Sequence, residues 1–179
     1  MTEEKYLQAK QAYIENIKRY MTEEGSLFPH VTVFGTHKKE PETNAIIHIP
    51  IPDAFMANED KKDEFMKEIM PQIAKKINET FIADGVAWAA ECWVRTASKD
   101  EEFPKDWKKL PIQKEVLLIS IETENKQEAI MYDIIRLGKI VTSDGELVDQ
   151  INLEQQDMDV PESLGGRMTG LFKLFKTDL

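Results

Sequence analysis

The chain of 179 residues contains a single cysteine, Cys92. One cysteine cannot form an intrachain disulfide bond, which excludes the small secreted scaffolds that depend on several disulfides. The paired C-x-x-C spacing of structural zinc sites is absent for the same reason. Hydrophobic residues make up 41% of the chain, and at this length folding buries about 70% of the unfolded surface. We therefore expect a hydrophobic core that is stable without disulfide bonds.

Long apolar runs are also missing. No window approaches the roughly 18 consecutive apolar residues of a transmembrane helix. The first residues include Glu3 and Glu4 and lack the basic and then apolar order of a signal peptide. We therefore expect a cytoplasmic protein without membrane contact.

Positive charge is scarce in this chain. It has 23 Lys and Arg residues against 33 Asp and Glu residues, and its formal net charge is −10. Nucleic-acid-binding domains normally present a basic surface, so direct nucleic-acid binding is not expected. An acidic protein can instead imitate nucleic-acid phosphates and block a basic protein, although here lysines are interspersed among the acids.

Motifs of catalysis and cofactor binding are missing as well. The sequence has no G-x-S-x-G elbow, no G-x-x-x-x-G-K-[ST] or G-x-G-x-x-G phosphate loop, and no H-E-x-x-H metal motif. Cys92 lies on the apolar face of a predicted strand, where burial raises the pKa of a thiol and opposes its reactivity. We therefore predict no cofactor, and catalysis is not favoured.

The order of predicted elements indicates an α+β fold. We expect a single antiparallel sheet of about five to seven strands packed against two helices, in the order α-β-β-α-β-β-β-β-β. The predicted helices span residues 2–22 and 58–80. The predicted strands span residues 27–34, 45–51, 86–96, 115–122, 128–136, 139–143 and 146–151. Residues 1–157 form one predicted domain, and residues 158–179 form a C-terminal arm.

Apolar stripes define the two predicted helices. Thr2 caps the first helix and Gly25 ends it, and its stripe comprises Tyr6, Ala9, Tyr13, Ile17 and Tyr20. The stripe of the second helix comprises Phe65, Ile69, Ile73 and Ile77. Pro71 interrupts this second helix and predicts a kink or a break.

The strand predicted at residues 86–96 has two unlike faces. One face is wholly apolar and should contact the helices; it comprises Val86, Trp88, Ala90, Cys92 and Val94. The other face includes Ala87, Ala89, Glu91 and Trp93, and should meet solvent, a cavity or a partner. A carboxylate at Glu91 must be paired or have a raised pKa. Arg136 or a lysine on a neighbouring strand can supply the partner, and a structural ion pair is favoured over catalysis.

Two histidines lie in the first two predicted strands. His30 and His48, together with Glu91, could form a two-histidine, one-carboxylate metal site or an acid–base site. Ordinary half-exposed strand histidines are the other interpretation. The sequence does not decide between them, because the register of the hairpin determines whether the histidines share a face.

The C-terminal arm is apolar and basic. Leu171, Phe172 and Phe175 share one helical face, and the arm either docks on its own domain or its twin, or binds another protein. Burying one such side chain stabilises a structure by about 1.5–3 kcal/mol. The triplet at 165–167 could offer two backbone donors and the guanidinium of Arg167 to an anion, or it could be a flexible turn.

Three segments resemble a pattern found in small uncharacterised bacterial and phage proteins. They span residues 89–95, 114–120 and 166–172. The resemblance implies that the sheet and the C-terminal segment belong together. It implies no activity.

Aromatic side chains outside the predicted core indicate the function. Trp93 lies on a polar strand face and Trp107 in a proline-bounded loop, and tryptophans in such places are enriched at interfaces. We expect a non-catalytic binding or regulatory protein that acts through protein–protein contacts as a homodimer. The expected contact residues are Trp93, Trp107, Phe172 and Phe175. The alternatives are a metal-assisted or acid–base enzyme using His30, His48 and Glu91, and an acidic nucleic-acid mimic.

Overall fold

A computed structural model describes residues 2–94, 111–142, 144–156 and 170–176. Its helices are α1 (Glu3–Glu24), α2 (Asp53–Met56), α3 (Glu59–Glu64), α4 (Met70–Thr80) and α5 (Leu171–Phe175), with a π-helical segment, Phe65–Ile69, between α3 and α4. Its strands are β1 (His30–His37), β2 (Glu40–Pro50), β3 (Phe81–Val94), β4 (Lys114–Thr123), β5 (Gln127–Val141) and β6 (Leu147–Gln155). No helix in these ranges has the combination of length and apolar sequence that crossing a bilayer requires.

The strands form one antiparallel sheet. Among the described residues it has six strands in the order β2-β1-β3-β4-β5-β6, and every neighbouring pair is antiparallel. The predicted α+β class is therefore confirmed, and the strand count lies within the predicted range. Strands β3 and β4 occupy the centre of the sheet, whereas β2 and β6 form its edges.

Two details of the predicted strand order are wrong. Residues 139–143 do not begin a new strand, because β5 continues from Gln127 to Val141 through a bulge between Arg136 and Gly138. The predicted loop at 35–44 is mostly strand, since β1 ends at His37 and β2 begins at Glu40. Polar residues there remain exposed on an edge strand, and their backbone groups still pair with β1.

Helix α1 follows its predicted pattern. Thr2 caps it by accepting a hydrogen bond from the Lys5 backbone N–H at 3.4 Å, and Gly25 ends it with a φ of +69°, which favours glycine. The buried residues of the helix are Tyr13, Ile14, Ile17 and Met21. Tyr20, predicted within the stripe, is 47% exposed.

The predicted interruption of the second helix is present. Helices α3 and α4 are joined by the π-helical segment, in which the Met70 N–H donates to the Phe65 carbonyl. Pro71 lies in the first turn of α4. A proline has no backbone N–H to donate, and this is tolerated here because the hydrogen-bond pattern of the α-helix is already interrupted by the π-helical segment. The side chains of Phe65, Met70 and Ala74 are buried against the sheet.

The sheet is covered on both faces. Among the described residues, one apolar cluster joins α1 to a face that includes Phe34, Ala87 and Leu117. A second cluster joins α4 and α5 to the opposite face, which includes Val31 and Trp88. The expectation that Ala87 meets solvent, a cavity or a partner is wrong, because α1 covers it completely.

Helix α5 belongs to the core of the chain. Leu171, Phe172 and Phe175 are buried and pack in the cluster around Trp88. The buried carboxylate of Glu122 on β4 accepts hydrogen bonds from the backbone N–H groups of Gly170 at 2.8 Å and Phe172 at 3.1 Å. This contact satisfies donors at the start of α5 that have no partner within the helix.

Replacing Glu122 with glutamine should loosen α5, because the amide offers one acceptor oxygen where the carboxylate offers two. We expect Glu122→Gln to lower the free energy of unfolding by about 1–3 kcal/mol and to accelerate hydrogen exchange at residues 171–175. Denaturant unfolding and hydrogen-exchange mass spectrometry measure the two effects. Glu124→Gln is the control, since exposed Glu124 pairs with Lys176 at the surface and such pairs contribute only about 0–1 kcal/mol. Equal losses in both variants would contradict the role of Glu122.

Candidate functional site

A pocket of about 490 Å³ opens between α1 and the β1–β2 edge of the sheet. We call it the histidine pocket, and its lining comprises Tyr13, Asn16, Ile17, Tyr20, Phe28, His30, His48 and Pro50. Helix α1 supplies one wall, because residues three and four apart share a helical face. The β1–β2 pair supplies the other wall. The volume lies within the range of small-molecule sites in proteins.

The register of β1 and β2 brings the two histidines together. Thr32 pairs with His48, and His30 pairs with Pro50, so His30 and His48 project from the same sheet face. Their ring centroids are 5.6 Å apart, at an interplanar angle of 73°. Tyr13 meets His30 edge-on, with ring centroids 6.1 Å apart. The structure therefore resolves the question of register that the sequence left open.

A backbone carbonyl determines the tautomer of His30. Its Nδ1 lies 2.7 Å from the Phe28 carbonyl oxygen, which can only accept a hydrogen bond. Nδ1 therefore carries a proton, and the neutral ring has an unprotonated Nε2. His30 thus offers a basic nitrogen whose direction is held by the Phe28 backbone.

Thr32 holds the second histidine. Its hydroxyl lies 2.9 Å from Nδ1 of His48, and the Thr32 side chain is fully buried beneath the pocket. Partial burial lowers the pKa of His48 from its ordinary value of 6.5, and positive charge on His30 lowers it further. The pair consequently disfavours two imidazolium ions at once.

Tyr13 carries a buried hydroxyl that makes no hydrogen bond of ordinary length with the described residues. The residue is 2% exposed, and burial raises the pKa of its phenol well above the ordinary value. A hydrogen-bonding contact with the Thr32 hydroxyl lowers this pKa, and the same Thr32 hydroxyl lies 2.9 Å from Nδ1 of His48. The buried hydroxyls of Tyr6 and Ser120 share this condition among the described residues, so it does not by itself distinguish the pocket.

Glu91 does not join the histidines in a metal site. Its Oε1 accepts a hydrogen bond from the Leu27 N–H at 3.0 Å, and its Oε2 lies 3.5 Å from Nη2 of Arg136. The ion pair with Arg136 that the sequence favoured is therefore present. Within the described ranges, no three His, Cys, Asp or Glu side chains are grouped to hold a metal ion.

A second pocket adjoins the histidine pocket at His30. Its volume is about 320 Å³, and its lining includes His30, Trp88 and Glu91, with Phe55 and Lys62 from the helices on the opposite sheet face. The indole N–H of Trp88 is buried and has no hydrogen-bond partner in the described part of the chain. His30 is thus the residue that the two pockets share.

The expected contact residues lie in different environments. Trp93 is 65% exposed at the end of β3. Phe172 and Phe175 are buried within the core. Trp107 and Arg167 lie outside the described residues. Only Trp93 is therefore observed at the surface among the contact residues that the structure describes.

Cys92 behaves as a structural thiol. It is half-buried, and burial followed by the charge of Glu91 raises its pKa. A raised pKa reduces the thiolate fraction and with it the reactivity. This agrees with the prediction made from the strand pattern.

Several pocket residues were missed at the level of sequence. Thr32 lies two residues after His30 and so shares its strand face, which period-two alternation alone could have indicated. Tyr13 was placed in the apolar stripe of α1, but its unpartnered hydroxyl carries no sequence signal. Asn16 and Phe28 join the pocket only because α1 crosses the sheet beside β1.

No protein-family model, curated protein or solved structure matches this chain. The resemblance to small bacterial and phage proteins is accordingly neither supported nor contradicted, and it stays a prediction.

Removing the Tyr13 hydroxyl should not destabilise the fold. Because that hydroxyl is buried without a hydrogen bond of ordinary length to the described residues, we expect Tyr13→Phe to leave the free energy of unfolding unchanged or to raise it by about 1–2 kcal/mol. Urea unfolding measures the change, and Tyr20→Phe on the exposed side of α1 is the control, with an expected change within about 0.5 kcal/mol. A loss above about 1 kcal/mol in Tyr13→Phe would instead indicate a hydrogen bond to Thr32.

His48 should make folding stability depend on pH. Its pKa is lower in the folded chain than in the unfolded chain, so the unfolded chain binds more protons as pH falls. The stabilising contribution is therefore complete above the unfolded pKa of 6.5 and is lost as pH falls below it. We expect the stability of the wild type relative to His48→Gln to decrease from about pH 8 to about pH 5, measured by denaturant unfolding. A constant difference would contradict the desolvation of this ring.

Proposed function

We propose that this chain is a non-catalytic binding or regulatory protein of the cytoplasm that acts through protein–protein contacts, assembling as a homodimer. The observation that carries the proposal is the exposure of Trp93. This side chain lies on β3, a central strand of the sheet, and is 65% exposed. Exposing a large ring on a strand has no benefit for the isolated chain, because its apolar area stays in water. Tryptophan is among the residues that contribute most to binding when an interface covers them.

The surroundings of Trp93 suit an interface. Trp93 pairs with Glu115 across β3 and β4. Glu115 binds Arg136 at 2.8 Å, and Arg136 binds Asp149 on β6 at 2.7 Å. This row, the Trp93 row, crosses four strands on one sheet face. Its charges are already paired within the chain, so a partner can cover them without leaving an isolated buried charge.

A second copy is the proposed partner. A two-fold contact brings the same patch of both subunits together, so each Trp93 would pack on the Trp93 row of the other subunit. Leu147 on β6 is 62% exposed and shares the strand face of Asp149, since the two are two positions apart. It provides further apolar surface beside the row.

Truncating Trp93 should weaken this assembly. We expect the wild type to sediment as a dimer and Trp93→Ala to raise the dimer dissociation constant by about tenfold or more, measured by sedimentation velocity over a concentration series. Leu7→Ala is the matched control, because Leu7 is also about half exposed, at 52%, but lies on α1 near its N-terminus. It should leave the dissociation constant unchanged.

Either of two results would contradict the proposal. A wild type that stays monomeric at all concentrations would contradict the proposed homodimer. A Trp93→Ala variant with the wild-type dissociation constant would show that Trp93 does not contribute to the dimer contact. Native mass spectrometry of the same samples gives the subunit count independently, and circular dichroism verifies that each variant is folded.

The acid–base enzyme is the second candidate, and one observation favours it. His30 and His48 share the histidine pocket, and the neutral ring of His30 has an unprotonated Nε2. The third expected group, Glu91, is instead engaged by Arg136 and the Leu27 N–H. The three residues expected for catalysis are therefore not assembled in one site, although the two histidines are.

The nucleic-acid mimic gains no comparable support. A mimic needs ordered carboxylates with few cations between them. Here Asp133 pairs with Lys114 at 2.7 Å, and Glu128 pairs with Lys10 and Lys126. The acidic surface is therefore interrupted by cations.

A further inference from the structure

We infer that the chain binds an extended basic peptide with an aromatic side chain, and that this peptide adds to the sheet as a further strand. Its backbone would pair with residues 89–94 of β3, on the side that faces β1; we call this the β3 edge. Its aromatic side chain would occupy the pocket of about 320 Å³ beside that edge. The inference rests on the proposed role in protein–protein contacts, but not on the homodimer.

Strand β3 extends past the end of its neighbour β1. The two strands pair only as far as Val31 and Trp88, whereas on its other side β3 pairs with β4 as far as Val94 and Lys114. The backbone groups of successive residues in an antiparallel strand point alternately to its two sides. At the β3 edge, the groups on the β1 side therefore face no strand of the described chain. Such an unpaired row is a template for a further strand.

The chain that precedes β1 leaves the β3 edge open. Pro29 has no N–H to donate, and its carbonyl accepts a hydrogen bond from the Ile51 N–H at 2.9 Å. The Leu27 N–H donates to the Glu91 side chain at 3.0 Å and not to the backbone of β3. In the part of the chain that the structure describes, these backbone groups are therefore used elsewhere.

The pocket of about 320 Å³ lies directly beside the β3 edge. Four consecutive residues of β3 are among its lining, namely Trp88, Ala89, Ala90 and Glu91. Successive side chains of a strand point to opposite faces of the sheet. A cavity lined by four residues in a row therefore includes the backbone edge of the strand in its wall. A peptide paired with this edge can direct a side chain into the pocket.

The rest of the pocket suits an aromatic side chain. Its apolar lining includes Ile51, Phe55, Met56, Phe65 and Met66. The rings of Phe55 and Phe65 have centroids 5.2 Å apart, and a third ring gains from contact with such a pair. The methionines adapt to the shape of the occupant because their side chains are unbranched. Phe65 and Met66 belong to the π-helical segment, and such segments are frequent at functional sites.

Charge selects the other side of the peptide. Glu91 is exposed and projects on the α1 side of the sheet, opposite the aromatic wall of the pocket. Arg136 contacts Glu115 at 2.8 Å and Asp149 at 2.7 Å, but Glu91 only at 3.5 Å. Glu91 is thus the least neutralised of these carboxylates, in a chain of net charge −10. Because side chains of the added strand also alternate, lysines flanking the aromatic residue would face Glu91.

The test uses an acetylated and amidated hexapeptide of sequence KFKVKV, titrated into the full chain by isothermal titration calorimetry. We expect a dissociation constant below about 100 µM that rises with salt concentration, because ions screen the attraction to the acidic chain. Replacing the phenylalanine of the peptide with alanine should weaken binding about tenfold or more.

Backbone methylation distinguishes strand addition from side-chain binding. Methylating a peptide nitrogen removes its N–H donor and retains the side chain, and only alternate amides of an added strand face β3. One peptide is methylated at its three lysine amides and the other at its three apolar amides. We expect one of these peptides to lose binding and the other to stay within about threefold of the parent.

A pair of chain variants locates the aromatic side chain. Met56 lines the pocket and is 39% exposed, and Met56→Ala should weaken binding of the parent peptide about fivefold or more. Ile46→Ala is the matched control. Ile46 is 43% exposed on β2 and is absent from the pocket lining, so this variant should bind as the wild type does.

Hydrogen exchange measured by NMR tests the β3 edge without any variant. In the free chain, alternate amides of residues 89–94 should exchange quickly, and the others should be protected by β4. Addition of the peptide should slow the exchange of the first set. Protection of every amide in the free chain would show that the edge is already paired, which would overturn the inference.

Other results would overturn it as well. These are equal binding of the two methylated peptides, unchanged affinity of the peptide that lacks phenylalanine, and undetectable binding at millimolar concentration. A peptide that binds only by dissociating a dimer would assign the β3 edge to a second copy of the chain. Sedimentation of the free chain tests the homodimer separately, since a monomer that binds the peptide would contradict the homodimer alone.

Discussion

The structure depends on the pairing of β1 with strands on both of its sides. Alternate residues of β1 are buried on opposite sheet faces: Val31 and Val33 contact the α4–α5 side, and Thr32 and Phe34 contact the α1 side. At Gly35 the backbone of β3 approaches so closely that a Cβ would lie 2.0 Å from the Ile82 carbonyl oxygen. A strand buried on both faces leaves no freedom in register, because a shift by one residue exchanges its two sets of side chains.

The same register creates the candidate site. Once β1 is held, His30 and Thr32 must lie on the α1 side, and pairing with β2 places His48 beside them. The edge position of β2 keeps His48 accessible, while Thr32 beneath it is buried. The pocket therefore combines a buried floor at Thr32 with an open rim at His48.

Buried polar groups differ in whether the described chain supplies their hydrogen bonds. Glu122 is buried and uses its carboxylate to hold the start of α5, so its burial cost is offset by hydrogen bonds. Tyr13 is buried without such a partner among the described residues. The hydroxyls of Tyr6 and Ser120 are buried in the same way, so this condition is not specific to the histidine pocket.

The α+β class, the caps of α1, the interruption near Pro71 and the consecutive strands at 115–122 and 128–136 were all predictable from sequence. Each depends on local periodicity, a cap or a turn, which a few neighbouring residues determine. The paired position of Glu91 was also predictable, because a carboxylate among apolar neighbours needs a partner. The continuity of β5, the covering of Ala87 by α1 and the meeting of Tyr13, His30 and His48 were decided only by tertiary structure. These features depend on strand register and on the path of α1 across the sheet. Both are determined by which side chains far apart in the sequence are buried against each other, and the local sequence does not specify this.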